Sequence, residues 1–96
     1  MMRLSFAPEA FAHVAEVFAW YQGQQDGLGW EFSDELEHVQ MLLKEQPELG
    51  PVVYRDLRRI LLPRFPYALF YSLTAGHIRI RALIHTRSHP RRWRPA

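Results

Sequence analysis

The apolar positions change period halfway along the chain. Met2 to Phe6 alternates and predicts a short first strand. Pro8 suits the first turn of a helix, where its missing N–H has no partner to lose. Phe11, Val14, Ala15 and Phe18 then recur at i, i+3, i+4 and i+7, predicting a helix that runs to about Gln22 and buries that face. Gly23, Gly27 and Gly29 mark a loop. A second helix is predicted from near Trp30 on the spacing of Phe32, Leu36, Val39 and Leu43, with Glu31, Asp34 and Glu35 in its early turns and Pro47 as its stop.

Beyond Pro51 the period shortens to two. Leu57 to Leu62 predicts a strand, and Pro63 and Pro66 bracket a turn because neither can donate to a ladder. Tyr67 to Leu73 predicts another strand, and Thr74-Ala75-Gly76 a tight hairpin connection. His77 to His85 is the clearest strand. Simple alternation puts Ile78, Ile80, Ala82 and Ile84 on one face, and His77, Arg79, Arg81, Leu83 and His85 on the other. The predicted order is β-α-α-β-β-β, an α+β fold with a helical hairpin packed on a small antiparallel sheet. Residues 1–96 read as a single domain, with 88–96 as a basic tail around Trp93.

Charge divides the same way. Residues 1–50 carry two basic groups, Arg3 and Lys44, against nine acids, a balance of −7. Residues 51–96 carry ten arginines against Asp56 alone, a balance of +9, and the two halves recover the net +2. Two readings stand: the acidic half covers the basic half internally, or the arginines form a surface for an anionic partner, where bidentate guanidinium contacts favour phosphate and carboxylate. The chain has no cysteine, which excludes disulfides and Cys-ligated metals and fits a reducing cytoplasm. The opening Met1 to Phe6 contains no long apolar region, so no secretory leader is expected. No apolar run approaches the ~20 residues of a membrane span, so no membrane contact is expected either.

The last strand is the chemically suggestive one. Burial of its isoleucines aligns Arg79, Arg81 and His85 on the opposite face, with Arg87 in the same parity if the strand continues. Arg58, Arg59 and Arg64 lie on neighbouring strands or turns. Such a row can bind phosphates, and a histidine within it can move protons; the plainer alternative is a solvated arginine face. Trp93 among Arg91, Arg92 and Arg94 suits either a stacking contact with nucleic acid or an anchor for the tail. His13 and His38 read as surface residues, and Ser5, Ser33, Ser72 and Ser88 lack a nucleophile context. His85 and His89 are four apart, but on a strand and a proline-bearing tail that spacing does not build a metal site, so no metal or other cofactor is expected.

Several segments in this order resemble the RelE/ParE superfamily of bacterial toxins. They are the Gly27-Leu28-Gly29 loop, Gln46-Pro47-Glu48-Leu49-Gly50, and Arg58-Arg59-Ile60-Leu61-Leu62-Pro63-Arg64-Phe65-Pro66-Tyr67. Phe70-Tyr71 and Ile84-His85-Thr86-Arg87-Ser88-His89-Pro90 with Trp93 complete the set. The resemblance implies the toxin of a type II toxin–antitoxin pair, neutralised by a cognate antitoxin whose extended segment wraps it. It offers two activities. The ParE-like branch poisons DNA gyrase by protein contact; the RelE-like branch cuts mRNA on the ribosome. The nuclease branch carries an arginine just before the Leu-x-Tyr of its middle strand, where this chain has Ala68 before Leu69-Phe70-Tyr71. Its lysines have no counterpart, and no tyrosine follows Tyr71, although Arg87 matches a basic position near the end of the last strand. The incomplete set favours the ParE-like branch. Its target- or antitoxin-binding residues are then expected among Arg58, Arg59, Arg64, Arg79, Arg81, His85, Arg87 and Trp93. The alternative nuclease would draw on Arg58, Arg81, His85 and Arg87. A plain nucleic-acid-binding module is the third reading.

Overall fold

The computed structural model describes residues 2–88; Trp93 and the rest of the tail lie outside them. In chain order the elements are β1 (Arg3–Phe6), α1 (Pro8–Gln24), α2 (Leu28–Glu45), β2 (Val52–Tyr54), β3 (Leu57–Leu61), β4 (Tyr67–Thr74) and β5 (His77–His85). The α+β class and the helical hairpin on a sheet are as expected, but there is one strand more than predicted. β2 is only three residues long and too short to show a period. The sheet order is β1-β5-β4-β3-β2. β1 runs parallel to β5 while the other pairs are antiparallel, so the sheet is mixed rather than purely antiparallel.

α2 buries the four residues its spacing singled out, Phe32, Leu36, Val39 and Leu43. It starts two residues earlier than expected because Gln22 caps it from α1: the Gln22 side-chain oxygen accepts from the backbone N–H of Gly27 at 3.2 Å and of Gly29 at 3.0 Å. That acceptor serves donors a helix start leaves without intrahelical partners, and the predicted loop shrinks to a tight connection. α1 is rotated from its predicted face. It buries Ala10, Val17 and Tyr21; of the predicted face Val14 and Phe18 pack half-buried against the core, while Phe11 is 67% exposed and Ala15 is exposed as well. Apolar residues lie on several sides of α1, so periodicity could not choose among them. Packing chooses the face with fully buried Ala10 and with Tyr21, whose ring meets Phe32, Phe65 and Tyr67 at centroid distances of 5.8, 4.9 and 6.3 Å.

The face of the sheet toward the helices carries Leu62, Leu69, Tyr71, Ile78, Ile80 and Leu83. The other, open face carries a smaller cluster of Ala68, Phe70 and Ile84 with Val53, Leu57 and Ala82 against it. Ile78 and Ile80 therefore face the helices, as the alternation predicts, whereas Ala82 and Ile84 do not. The cause is a β-bulge. Phe70 pairs with Ala82 and Tyr71 with Ile80, so Arg81 is an extra residue on β5. An inserted residue of this kind reverses the parity of everything beyond it. The predicted single row of Arg79, Arg81, Leu83 and His85 is broken there. Leu83 is core, 3% exposed, and His85 falls opposite Tyr67 with the two rings 5.2 Å apart.

A buried clasp joins the end of the hairpin to the sheet. Tyr71 Oη donates to the Pro47 carbonyl at 2.8 Å and accepts from the Gly50 N–H at 2.9 Å. Arg58 Nη1 donates to the carbonyls of Gly50 at 2.8 Å and Glu48 at 3.2 Å. Gly50 is required by the closeness of the approach, since a Cβ there would lie 2.6 Å from the Arg59 carbonyl oxygen. The segment Gln46 to Gly50 and Arg58, both part of the family resemblance, thus meet in one structural contact. Burial raises the Tyr71 phenol above its ordinary value, against the lowering effects of the Gly50 hydrogen bond and the Arg58 charge. Burial raises Tyr21 and Tyr67 as well.

An unfolded tyrosine ionises near pH 10, while these folded ones hold their protons to higher pH. Their contribution is therefore fully present below about pH 10 and is lost as pH rises through the folded values. Thermal melts from pH 8 to about 11.5 are expected to show the melting temperature falling above about pH 10. Tyr71→Phe is expected to cost about 1–3 kcal/mol near neutrality, because it strands the Gly50 N–H and the Pro47 carbonyl. It should also make the alkaline fall shallower. An unchanged alkaline slope in this variant would exclude Tyr71 as a contributor.

Candidate functional site

The arginines of the second half fall into two groups. Arg58 and Arg64 are engaged within the chain. Arg58, with its side chain 20% exposed, holds the clasp and lies 3.8 Å from a Glu48 carboxylate oxygen. Arg64 pairs with α2: its Nε donates to Glu35 at 3.2 Å, its backbone N–H reaches the same carboxylate at 3.0 Å, and Nη1 lies 3.5 Å from Glu31. The acidic helix does cover part of the arginine half, through these ion pairs. Among the described residues no other arginine forms an ion pair.

The second group lies on the open face and its rim. Arg59 is exposed opposite Phe70. Arg79 is half-buried, and its Nη1 donates to Ser5 Oγ at 2.9 Å. Ser5 Oγ lies 2.7 Å from His77 Nε2, so the parallel pairing of β1 with β5 builds a short His77–Ser5–Arg79 chain. Arg81 projects from the bulge, exposed, with Nη1 3.5 Å from Ser72 Oγ. β5 stops at His85, so Arg87 does not continue the row. It is exposed in a turn whose backbone N–H reaches His85 Nδ1 at 3.1 Å.

Two concavities on this side collect polar groups. One of about 330 Å³ borders Arg59, Phe70, Ile84, His85, Thr86 and Ser88. It brings Arg59 and His85 to one hollow, away from Arg79 and Arg81. The other, of about 570 Å³, lies where β1 gives way to α1, and Arg79, Arg81, Arg55, Tyr54, His13 and Glu9 are among its walls. Sequence reading missed His13, Tyr54, Arg55, Glu9 and Ser5 as members of any site. The signals were weak: a histidine on an amphipathic helix and an Arg-Asp turn look like ordinary surface. His38 is exposed as expected, but His13 is half-buried, and its Nδ1 is buried without a protein hydrogen-bond partner. A third groove of about 460 Å³ runs between the helices, past Phe6, Phe11, Val14, Leu36, Met41 and Lys44.

Among the described residues no three His, Asp or Glu side chains come together as a metal site. No described helix is long and apolar enough to cross a membrane.

No family model and no curated protein matches the sequence. The fold does match a solved one: a chain of the chromosomal ParDE TA system from P. aeruginosa superposes with a TM-score of 0.77, at 17% identity, over 88% of this chain and 96% of that one. This protein therefore shares its fold, over most of its length, with a component of a ParDE system.

Proposed function

We propose that the chain is the toxin of a type II toxin–antitoxin pair of the ParE-like kind. In this reading it acts in the cytoplasm on DNA gyrase, without a cofactor, and a cognate antitoxin neutralises it. The observation that carries the reading is the shared fold with a ParDE component over 88% of the chain. Two surfaces support it. The groove between the helices, with exposed Phe11 and Met41 on its walls, suits the apolar anchors of an extended antitoxin segment. Arg59, Arg79, Arg81 and Arg87, free of ion pairs among the described residues, suit its acidic groups or an anionic face of the target. Trp93 belongs to the same proposed contact set from outside the described residues.

The RelE-like nuclease is the second reading, and the hollow shared by Arg59 and His85 favours it. A nuclease needs its cations and a proton-transfer group around one phosphate. In this chain Arg58 is held in the clasp and Arg81 belongs to the other concavity, while Ala68 stands where the nuclease branch has an arginine.

Arg87→Ala, Trp93→Ala and His85→Ala separate the readings when each is assayed for toxicity, inhibition of gyrase supercoiling and ribosome-dependent mRNA cleavage. The expected result is supercoiling inhibition by the unaltered protein, relieved by the product of an adjacent antitoxin gene. For Arg87 or Trp93, losses should track binding, at about 1–4 kcal/mol. Wild-type mRNA cleavage that collapses in His85→Ala while ribosome binding persists would overturn the gyrase reading in favour of the nuclease.

A further inference from the structure

The cavity of about 570 Å³ beside the bulge plays no part in the clasp or the hairpin packing, although its Arg79 and Arg81 also stand in the proposed contact set of the toxin. Its volume falls within the ~300–1,000 Å³ range of small-molecule sites. Three arginines, Arg55, Arg79 and Arg81, line it, and none of them forms an ion pair among the described residues. Arg79 is already oriented by Ser5, so less side-chain freedom is lost when a ligand arrives. Arg81 owes its position to the bulge, which turns it and Ala82 toward the same side. Arg79 and Arg81, two residues apart on β5 and both lining the cavity, offer the charged donors that phosphate oxygens accept.

The remaining walls call for more than an inorganic anion. Tyr54 and Phe70 supply aromatic surface, and the Arg55 guanidinium lies 5.2 Å from the Tyr54 ring centroid. Glu9 and Asp56 add carboxylate acceptors, which suit hydroxyl and amino donors rather than phosphate. His13 brings a buried Nδ1 that no protein group among the described residues satisfies. Arg55 itself sits at φ 52°, in the left-handed region where glycine or asparagine costs least. Arg55 takes this conformation in the turn between β2 and β3, which places it at the edge of the hollow.

We propose that this cavity binds a nucleoside monophosphate unit, with its phosphate on Arg79 and Arg81 and its base against Tyr54. The same chemistry is offered by a free nucleotide and by the phosphorylated end of a nucleic acid. The site shares Arg79 and Arg81 with the proposed antitoxin or target contact, but its test uses neither antitoxin, gyrase nor ribosome, so its failure is distinguishable from failure of that reading.

The purified full chain is titrated with AMP, adenosine, inorganic phosphate and a 5′-phosphorylated trinucleotide by calorimetry and by protein NMR. AMP is expected to bind saturably at or below about 1 mM, with adenosine and inorganic phosphate each at least ~10-fold weaker. Arg81→Ala and Arg79→Gln are each expected to weaken AMP by about 10-fold or more, through loss of a charge-assisted contact. Arg55→Gly is expected to raise the melting temperature by relieving the turn while lowering affinity for AMP. A trinucleotide that binds more tightly than AMP identifies a nucleic-acid end as the source; equal or weaker binding identifies the free nucleotide. The proposal is overturned by the absence of saturable AMP binding up to about 10 mM, by inorganic phosphate binding as tightly as AMP, or by unchanged AMP affinity in Arg81→Ala. Arg81 is exposed on the bulge, so that variant keeps the fold and the test stands even where Arg79→Gln does not.

Discussion

Ile80→Arg is expected to give no folded protein, and Ile80→Ala a protein weakened by about 2–5 kcal/mol. Ile80 is fully buried where three elements meet. It pairs with Phe6 on β1 and Tyr71 on β4, and its carbonyl accepts the Ala7 N–H at 2.8 Å, where the chain turns into α1. Truncation to alanine leaves a cavity that neighbours on both strands cannot fill without shifting. An arginine there would put a charge into the apolar layer with no partner, and burying an unpaired ion costs several kcal/mol even after relaxation. A small domain has about 5–15 kcal/mol of stability in total. Thermal melts followed by circular dichroism check both variants, Ile80→Arg showing no cooperative transition and Ile80→Ala a lowered one. An unchanged melting temperature for Ile80→Arg would mean that Ile80 faces solvent and that the parity of β5 is inverted.

The bulge makes a second expectation of similar size. Under simple alternation Ala82 would be the core residue and Leu83 the outward one. With Arg81 inserted the assignment reverses, and Leu83 packs in the main core while Ala82 lies half-buried on the open face. Leu83→Ala is therefore expected to cost about 2–5 kcal/mol, and Leu83→Glu to abolish folding. Ala82→Glu should leave the fold intact at a much smaller cost, since its carboxylate can reach solvent on the open face, near Arg81. The comparison is made on matched thermal melts. If Ala82→Glu unfolds the chain and Leu83→Glu does not, the bulge is absent.

These two experiments fall on either side of the boundary between local pattern and tertiary choice. α2 could be read directly because Phe32, Leu36, Val39 and Leu43 recur as one regular stripe, whereas its exposed apolar residues Trp30 and Met41 are too widely spaced to make a rival period, and all four stripe residues are buried. The hairpin at Thr74 to Gly76 was equally plain, since Gly76 takes φ 74° and few other residues do so cheaply. Charge segregation was legible as well, but it left open whether the acidic half covers the arginines or leaves them for a partner; the structure shows α2 covering one of them. Arg64 is the one it captures, through Glu31 and Glu35.

What the sequence by itself determined, then, is the class of the fold, the order of its principal elements and the first half of β5, because those follow from periodicities of 3.6 and 2 over stretches long enough to repeat. Tertiary structure alone decided the rest. α1 is apolar on several sides, and only contact with the sheet and with Phe32, Phe65 and Tyr67 selects the face with Ala10, Val17 and Tyr21. β2 is too short to carry a period, and β1 joins β5 in parallel across more than seventy residues of chain, a pairing no local signal encodes. Leu83 and Ile84 are adjacent and both apolar, so either parity satisfies the end of β5 until strand β4 fixes the register and expels Arg81 as the extra residue. The candidate sites inherit that decision. Arg58 is committed to the clasp, and His85 is turned away from Arg79 and Arg81. Those two arginines are gathered instead with His13 and Tyr54, because the bulge and the β1–β5 pairing bring together residues that lie far apart in the chain.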